Sequence, residues 1–143
     1  MTDYVYGSKS SGKLLTCHTD IRDVATLGLS RSPYDITIVH GWRGEDIQNA
    51  LFESGASHKQ YPHSKHNHTD ADGMPLSLAI DFAPWVNSKI PWEDTHVFTI
   101  VAGVLIAAAN ELGIPVRYGG DWDGDGSTKD QTLMDWGHIE LVT

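Results

Sequence analysis

Hydrophobic positions recur at two spacings along the chain, and the spacings divide it into helices and strands. Leu14, Cys17, Ile21, Val24, Ala25 and Leu29 recur at helical intervals, which predicts a helix from Leu14 to Leu29. Gly28 and Ser30-Arg31-Ser32-Pro33 are expected to end it, and residues 8–14 read as a polar lead-in. Asp35 to His40 encloses Ile36-Thr37-Ile38-Val39, a buried strand, and Gly41-Trp42-Arg43-Gly44 is a turn. A short helix is predicted from Glu45 to about Glu53, with Ile47, Ala50 and Leu51 on one face. Leu78 to Val86 returns to strand character. The longest helix follows Pro91-Trp92-Glu93-Asp94, with Asp94 or Thr95 as cap. Its predicted buried stripe is Val97, Val101, Val104, Leu105, Ala108 and Leu112, and Gly113 closes it. Residues 116–118 and 138–142 read as strands. Val39, Ile80, Leu105 and Ile139 are expected in the core. Helices alternating with strands that hairpins can pair predict an α+β fold, a small antiparallel sheet with packed helices.

Two segments have no period. Residues 54–77 are rich in Ser, His, Asp and Gly and hold His58, His63, His66 and His68; residues 119–134 are rich in Gly and Asp. Polar stretches this long within a small domain are usually functional or mobile. At 143 residues the expectation is one domain, 1–143, able to bury a real core. The formal net charge of −9 argues against a nucleic-acid partner and against electrostatic attraction to an anionic membrane. Bound divalent cations would offset part of that excess. Cys17 is the one cysteine, so no internal disulfide is possible, and its place in a helical stretch marks it as a small core residue. The first residues lack the charged and apolar regions of a secretory signal. The most apolar run, Val97 to Ala109, is too short to span a bilayer, so no membrane insertion is expected. We expect a monomer.

Chemistry concentrates in His66, Asp81 and His138. Two imidazoles and one carboxylate suit a catalytic zinc ion whose fourth position stays open for water. Asp135, three residues before the last of them, is placed to take a proton from that water. Histidine alone is weak support, because eight occur here and most isolated ones are structural or exposed.

The surrounding residues say more. Ser64-Lys65-His66, Ala79-Ile80-Asp81-Phe82-Ala83-Pro84 and Asp135-Trp136-Gly137-His138-Ile139-Glu140 resemble the signature of the LAS-type zinc peptidases of bacterial cell walls. These include D-alanyl-D-alanine carboxypeptidases and dipeptidases, and the likeness is greatest to the L-alanyl-D-glutamate endopeptidase lysins of tailed phages. Further matching segments are residues 32–39 with Gly41 and Arg43, and Leu112-Gly113-Ile114 with Arg117, Gly120, Asp121 and Trp122. The likeness runs from about residue 14 to 142. It implies Zn²⁺ on His66, Asp81 and His138 at the sheet face, and Asp135 as catalytic base. It also implies Arg43 facing substrate and steadying negative charge, and Ser64 supporting substrate or ligand geometry. The implied partner is the peptidoglycan stem peptide, cut between L-alanine and D-glutamate to cause host lysis. The protein would wait in the host cytoplasm until then, and no separate wall-binding module is visible. Glu140 alternates with His138 on the last strand and shares its sheet face, a candidate for orienting the site.

One departure stands out. The family pattern H-x-x-G-x-A-x-D is short, whereas fourteen residues separate His66 from Asp81 and Ser77 stands where the glycine would be. A surface loop costs little extra entropy when lengthened. The added segment, 67–76, is expected at the cleft rim, where it would influence specificity, and it makes His68 a rival first ligand. A second cation site is also a candidate: Asp121, Asp123 and Asp125, with Gly126, resemble the first half of a calcium loop, and Asp130 could join them. Lys129 and Thr132 break the match to a standard EF-hand, so Ca²⁺ would be held by a partial site. Two alternatives stay open from sequence: a D-alanyl-D-alanine carboxypeptidase or dipeptidase, and a non-catalytic binding module stabilised by metal.

Overall fold

The computed structural model of the chain describes residues 3–120 and 135–143. Four helices, α1 (Ser8–Leu14), α2 (Thr19–Arg31), α3 (Glu45–Glu53) and α4 (Thr95–Leu112), accompany four strands, β1 (Asp35–His40), β2 (Ala79–Trp85), β3 (Val116–Tyr118) and β4 (His138–Leu141). The strands form one antiparallel sheet in the order β1-β2-β4-β3. The α+β architecture is the one the alternating periods predict.

Strand alternation gives the sheet two unlike faces. Ile36, Ile38, Ile80, Phe82, Ile139 and Leu141 point one way and pack with α2 and α4 into a single hydrophobic core. Asp81, His138 and Glu140 occupy the alternate positions. The main helices therefore seal the apolar face, and the polar face is left for irregular chain.

The N-terminal helix prediction needs correction. Residues 8–14 are helical, and the chain breaks before α2 begins at Thr19. His18 causes the restart: its Nδ1 accepts from the Asp20 amide at 3.0 Å and caps α2. Cys17, buried in the gap, bridges to Ser77 instead of lying in a helix. Its thiol is pushed up to about 11, chiefly by burial, as suits an inert core residue. Gly28 lies inside α2 and does not end it; it lets Leu105 of α4 approach closely.

In α4 the buried residues are Phe98, Val101, Ala102, Leu105, Ala108 and Ala109, so the stripe is rotated from the predicted one and Leu112 is exposed. Asp94 caps its start by accepting from the Val97 amide at 3.2 Å. Gly113 ends it with φ +72°, a left-handed turn that favours glycine. This helix is longer than the apolar run within it. At 18 residues and mean hydropathy 1.5 it is long and apolar enough to cross a membrane, and here it serves as the core helix. Helix α3 also departs from expectation. Its buried residue is Gln48, while Ile47 and Ala50 are exposed, because the helix faces a polar network and not the apolar core.

Candidate metal centre and cleft

Three strands place side chains on one line across the sheet. Asp81 of β2 is the register partner of His138 on β4, and His40 on β1 is partnered with Asp81. The last pairing depends on a bulge: the β1–β2 register slips between Ile38 and His40, with Val39 as the extra residue. His66 reaches the line from a single 3₁₀ turn, Lys65–Asn67, that follows the irregular segment. Ser64 caps that turn, its Oγ accepting from the His66 amide at 3.2 Å.

The three predicted ligands meet. His66 Nε2 lies 3.2 Å from Asp81 Oδ1 and 3.3 Å from His138 Nδ1, and His138 Nδ1 lies 3.1 Å from the same Asp81 oxygen. A tetrahedral zinc ion with ligand bonds of about 2.0–2.1 Å spaces its donors by roughly 3.3 Å. The outward nitrogens decide where the lone pairs point. His66 Nδ1 is 2.8 Å from the Gly41 carbonyl and donates to it, so Nε2 is the free acceptor. His138 Nε2 donates to Glu140 Oε1 at 2.8 Å, which turns Nδ1 inward. Three lone pairs thus converge on one point, an arrangement that repels itself unless a cation sits among them. The residues fit a zinc ion. His66, Asp81 and His138 form the metal-capable group among the described residues.

The electrostatics agree with that fit. Burial pushes His66 below the ordinary histidine range, leaving the neutral imidazole a ligand requires. Burial alone would also lower His138, but its bonds to Asp81 and Glu140 and the Asp81 charge lift it to about 9. In the metal-free protein a proton on His138 supplies positive charge at that point, and a bound metal ion would displace it. For Asp81, burial raises the carboxyl, yet His66, His138 and His40 outweigh it and hold the group well below the usual range.

Arg43, expected to face a substrate, reaches the ligand triangle itself. Its Nη2 donates to Asp81 Oδ2, and its Nη1 donates to Gln48 Oε1 at 3.2 Å. His40 Nδ1 also lies 3.0 Å from Asp81 Oδ2. The outer oxygen of Asp81 is thus held from two sides while Oδ1 points at the histidines. Sequence reasoning missed His40 and Gln48. Nothing in the local pattern distinguishes His40 from seven other histidines, because the bulge that aims it is a property of pairing. Asn67 donates to the Arg43 carbonyl at 2.9 Å and ties the 3₁₀ turn to the same network. Lys65 pairs with Glu140 at 3.0 Å, so the residue that orients His138 is itself held.

Asp135 stands at the cleft beside the triangle. Its amide donates to the Gly119 carbonyl at 2.9 Å, which fixes the backbone before the Trp136-Gly137 turn. Gly137 has to be glycine, because a Cβ there would lie 2.5 Å from the Phe82 carbonyl oxygen. Loss of water around the Asp135 carboxyl raises its pKa, and repulsion from Asp81 adds to the rise. A carboxyl in that condition can accept a proton and hold it.

His68 is not the rival ligand. It is exposed, with Nδ1 2.9 Å from the Leu76 carbonyl. Segment 67–76 folds back on itself through a Thr69–Pro75 bridge and a Leu76 to His68 backbone bond of 2.9 Å. The excursion satisfies its own backbone, and its residues line neither of the two cavities beside the triangle. Asp121, Asp123, Asp125 and Asp130, the candidate calcium ligands, lie outside the described residues.

A family model described as phage L-alanyl-D-glutamate peptidase matches residues 2–142. The chain belongs to that family. The L-alanyl-D-glutamate peptidase of Escherichia phage T5 is 38% identical over 144 residues, covering 97% of this chain and 98% of the relative. The fold is shared with the crystal structure of the Serratia marcescens L-Ala D-Glu endopeptidase ChiX. That match has a TM-score of 0.76 at 23% identity, covering 98% of this chain and 92% of the other. The chain is thus a peptidase by family, with a donor set compatible with a metal.

Proposed function

We propose that the protein is a zinc-dependent phage lysin that cuts the L-alanyl-D-glutamate bond of the peptidoglycan stem peptide. The observation that carries this reading is the convergence of His66 Nε2, Asp81 Oδ1 and His138 Nδ1 beside the Asp135 carboxyl. Zinc held by those three atoms would supply the Lewis acidity that polarises a peptide carbonyl and acidifies water.

The chain's own groups do the rest. Gly41 and Glu140 keep each imidazole turned so that its lone pair faces inward. Arg43 holds the outer oxygen of Asp81 and presents positive charge to the cleft, where it favours the negative charge that develops on the scissile carbonyl oxygen. Asp135 takes a proton from the attacking water onto a carboxylate oxygen and hands it to the departing amine of D-glutamate. The protein would be made in the host cytoplasm and act on the wall when lysis begins.

The test is product analysis. Purified sacculi treated with the zinc-loaded protein should release fragments with new N-terminal D-glutamate, read by mass spectrometry. Asp135→Asn should lower that release about a hundred- to ten-thousandfold with bound zinc and fold unchanged. Release of D-alanine in place of N-terminal D-glutamate would move the protein to the carboxypeptidase reading.

A further inference from the structure

Two cavities flank the ligand triangle, and their linings differ in kind. The first, about 400 Å³, is lined by His66 and His138 at its inner end and by Arg43, Lys59, Lys65 and Arg117. Those four are drawn from only ten lysines and arginines in a chain of net charge −9, so the lining among the described residues is basic in an acidic protein. Its carboxylates among the described residues are Asp135 and Glu140, and Glu140 is already paired with Lys65 and His138. Lys59 belongs to none of the ion pairs among the described residues. The second cavity, about 350 Å³, takes Asp81 at its inner end and is otherwise largely apolar, with Val39, Leu51, Phe82, Trp92, Phe98 and Trp136. Trp92 stacks on Phe98, with ring centroids 6.0 Å apart and 26° between planes, yet is 62% exposed. A ring held flat by a neighbour and open to water is a platform for an amphipathic ligand such as a sugar. Arg43, Ala56 and Asp135 line both cavities, so a ligand crossing the triangle enters both.

Resting on the function proposed above, we propose that the two cavities fix the direction of the stem peptide. The basic cavity takes the D-glutamyl residue and the peptide beyond it. The aromatic cavity takes the L-alanyl residue and the lactyl-saccharide that carries it. The substrate has the matching asymmetry. L-Alanine is amide-linked to a neutral sugar acid, whereas D-glutamate continues the chain through its side-chain carboxyl and keeps a free α-carboxylate. Negative charge therefore begins at the scissile bond and lies on one side of it. Lys59 and Arg117 are the specificity residues on that side, and Trp92 is the specificity residue on the other.

Three substrates and variants at two exposed residues test this. The substrates are the muramyl tripeptide, its D-glutamyl α-amide, and the tripeptide with the sugar replaced by an acetyl group. Lys59→Gln should lower kcat/KM roughly tenfold on the free carboxylate and clearly less on the α-amide. Trp92→Ala should lower it roughly tenfold on the sugar-bearing substrate and clearly less on the acetyl peptide, with Trp92→Phe recovering most of the loss. Equal losses on all three substrates, or the two sensitivities exchanged, would overturn the assigned direction. Absence of N-terminal D-glutamate from the unaltered protein would overturn the proposed L-alanyl-D-glutamate cleavage and this inference together. Normal release without the crossed pattern would overturn the inference alone.

Discussion

The two faces of the sheet solve opposite problems with the same four strands. On the helix side, Ile38, Ile80, Phe82 and Ile139 interlock with Val24, Val101 and Leu105 through apolar contact alone. On the cleft side, Asp81, His138 and Glu140 are buried or nearly so, and each is held by a named donor or acceptor. Apolar burial tolerates exchange so long as volume is kept. Buried polar groups do not, because each lost partner leaves another stranded. The helix side should therefore control stability and the cleft side activity, with little crossover.

Asp81→Ala gives the largest break in that division. It removes the group shared by both histidines, and bound zinc and turnover should both be lost while the circular dichroism of the fold persists; metal analysis and muropeptide release check it. Leu105→Ala tests the other face. It should cost about 2–5 kcal/mol of unfolding free energy in denaturant titrations, and leave kcat unchanged under conditions where the protein is folded.

Glu140→Gln sharpens the boundary, since it touches a ligand without being one. Zinc affinity should fall roughly 10–100-fold in competition with a chelator. The same residue sets a pH dependence in the metal-free protein. Burial tends to raise its carboxyl, but His138 and Lys65 prevail and bring it from 4.5 to about 2. A carboxyl depressed by folding adds stability that is complete above pH 4.5 and is lost as pH falls toward about 2. Melting temperature across that window should show the loss, and Glu140→Gln should flatten it. The smallest effect belongs to Gly113→Ala, where a left-handed φ of +72° makes any side chain strained. It should cost about 1 kcal/mol and leave the zinc site untouched.

The same contrast explains what the sequence makes legible. The apolar face follows from periodicity, so β1, β2, β4, α3 and α4 lie close to their predicted bounds. The break before α2 is hidden because Leu14, Cys17 and Ile21 keep a helical interval although the chain between them is not helical. Gln48 and His40 are hidden for a different reason. Each is placed by its partner in space, Gln48 by Arg43 and Asn67, His40 by a bulge in the β1–β2 pairing. The family resemblance implies His66, Asp81 and His138, but the His66 tautomer follows from a backbone carbonyl at Gly41 that no side-chain pattern marks.

The line of His40, Asp81 and His138 across three strands also bears on the birth of the protein. Asp81 can be ordered between its neighbours only after β4, whose His138 lies 57 residues further along the chain, has inserted between β2 and β3. Contacts so distant in sequence close late in folding. The donor triangle is therefore among the last features to form, and a chain that has not completed the sheet has no triangle. An enzyme meant to destroy its host's wall gains from the fold itself a safeguard against acting before it is folded.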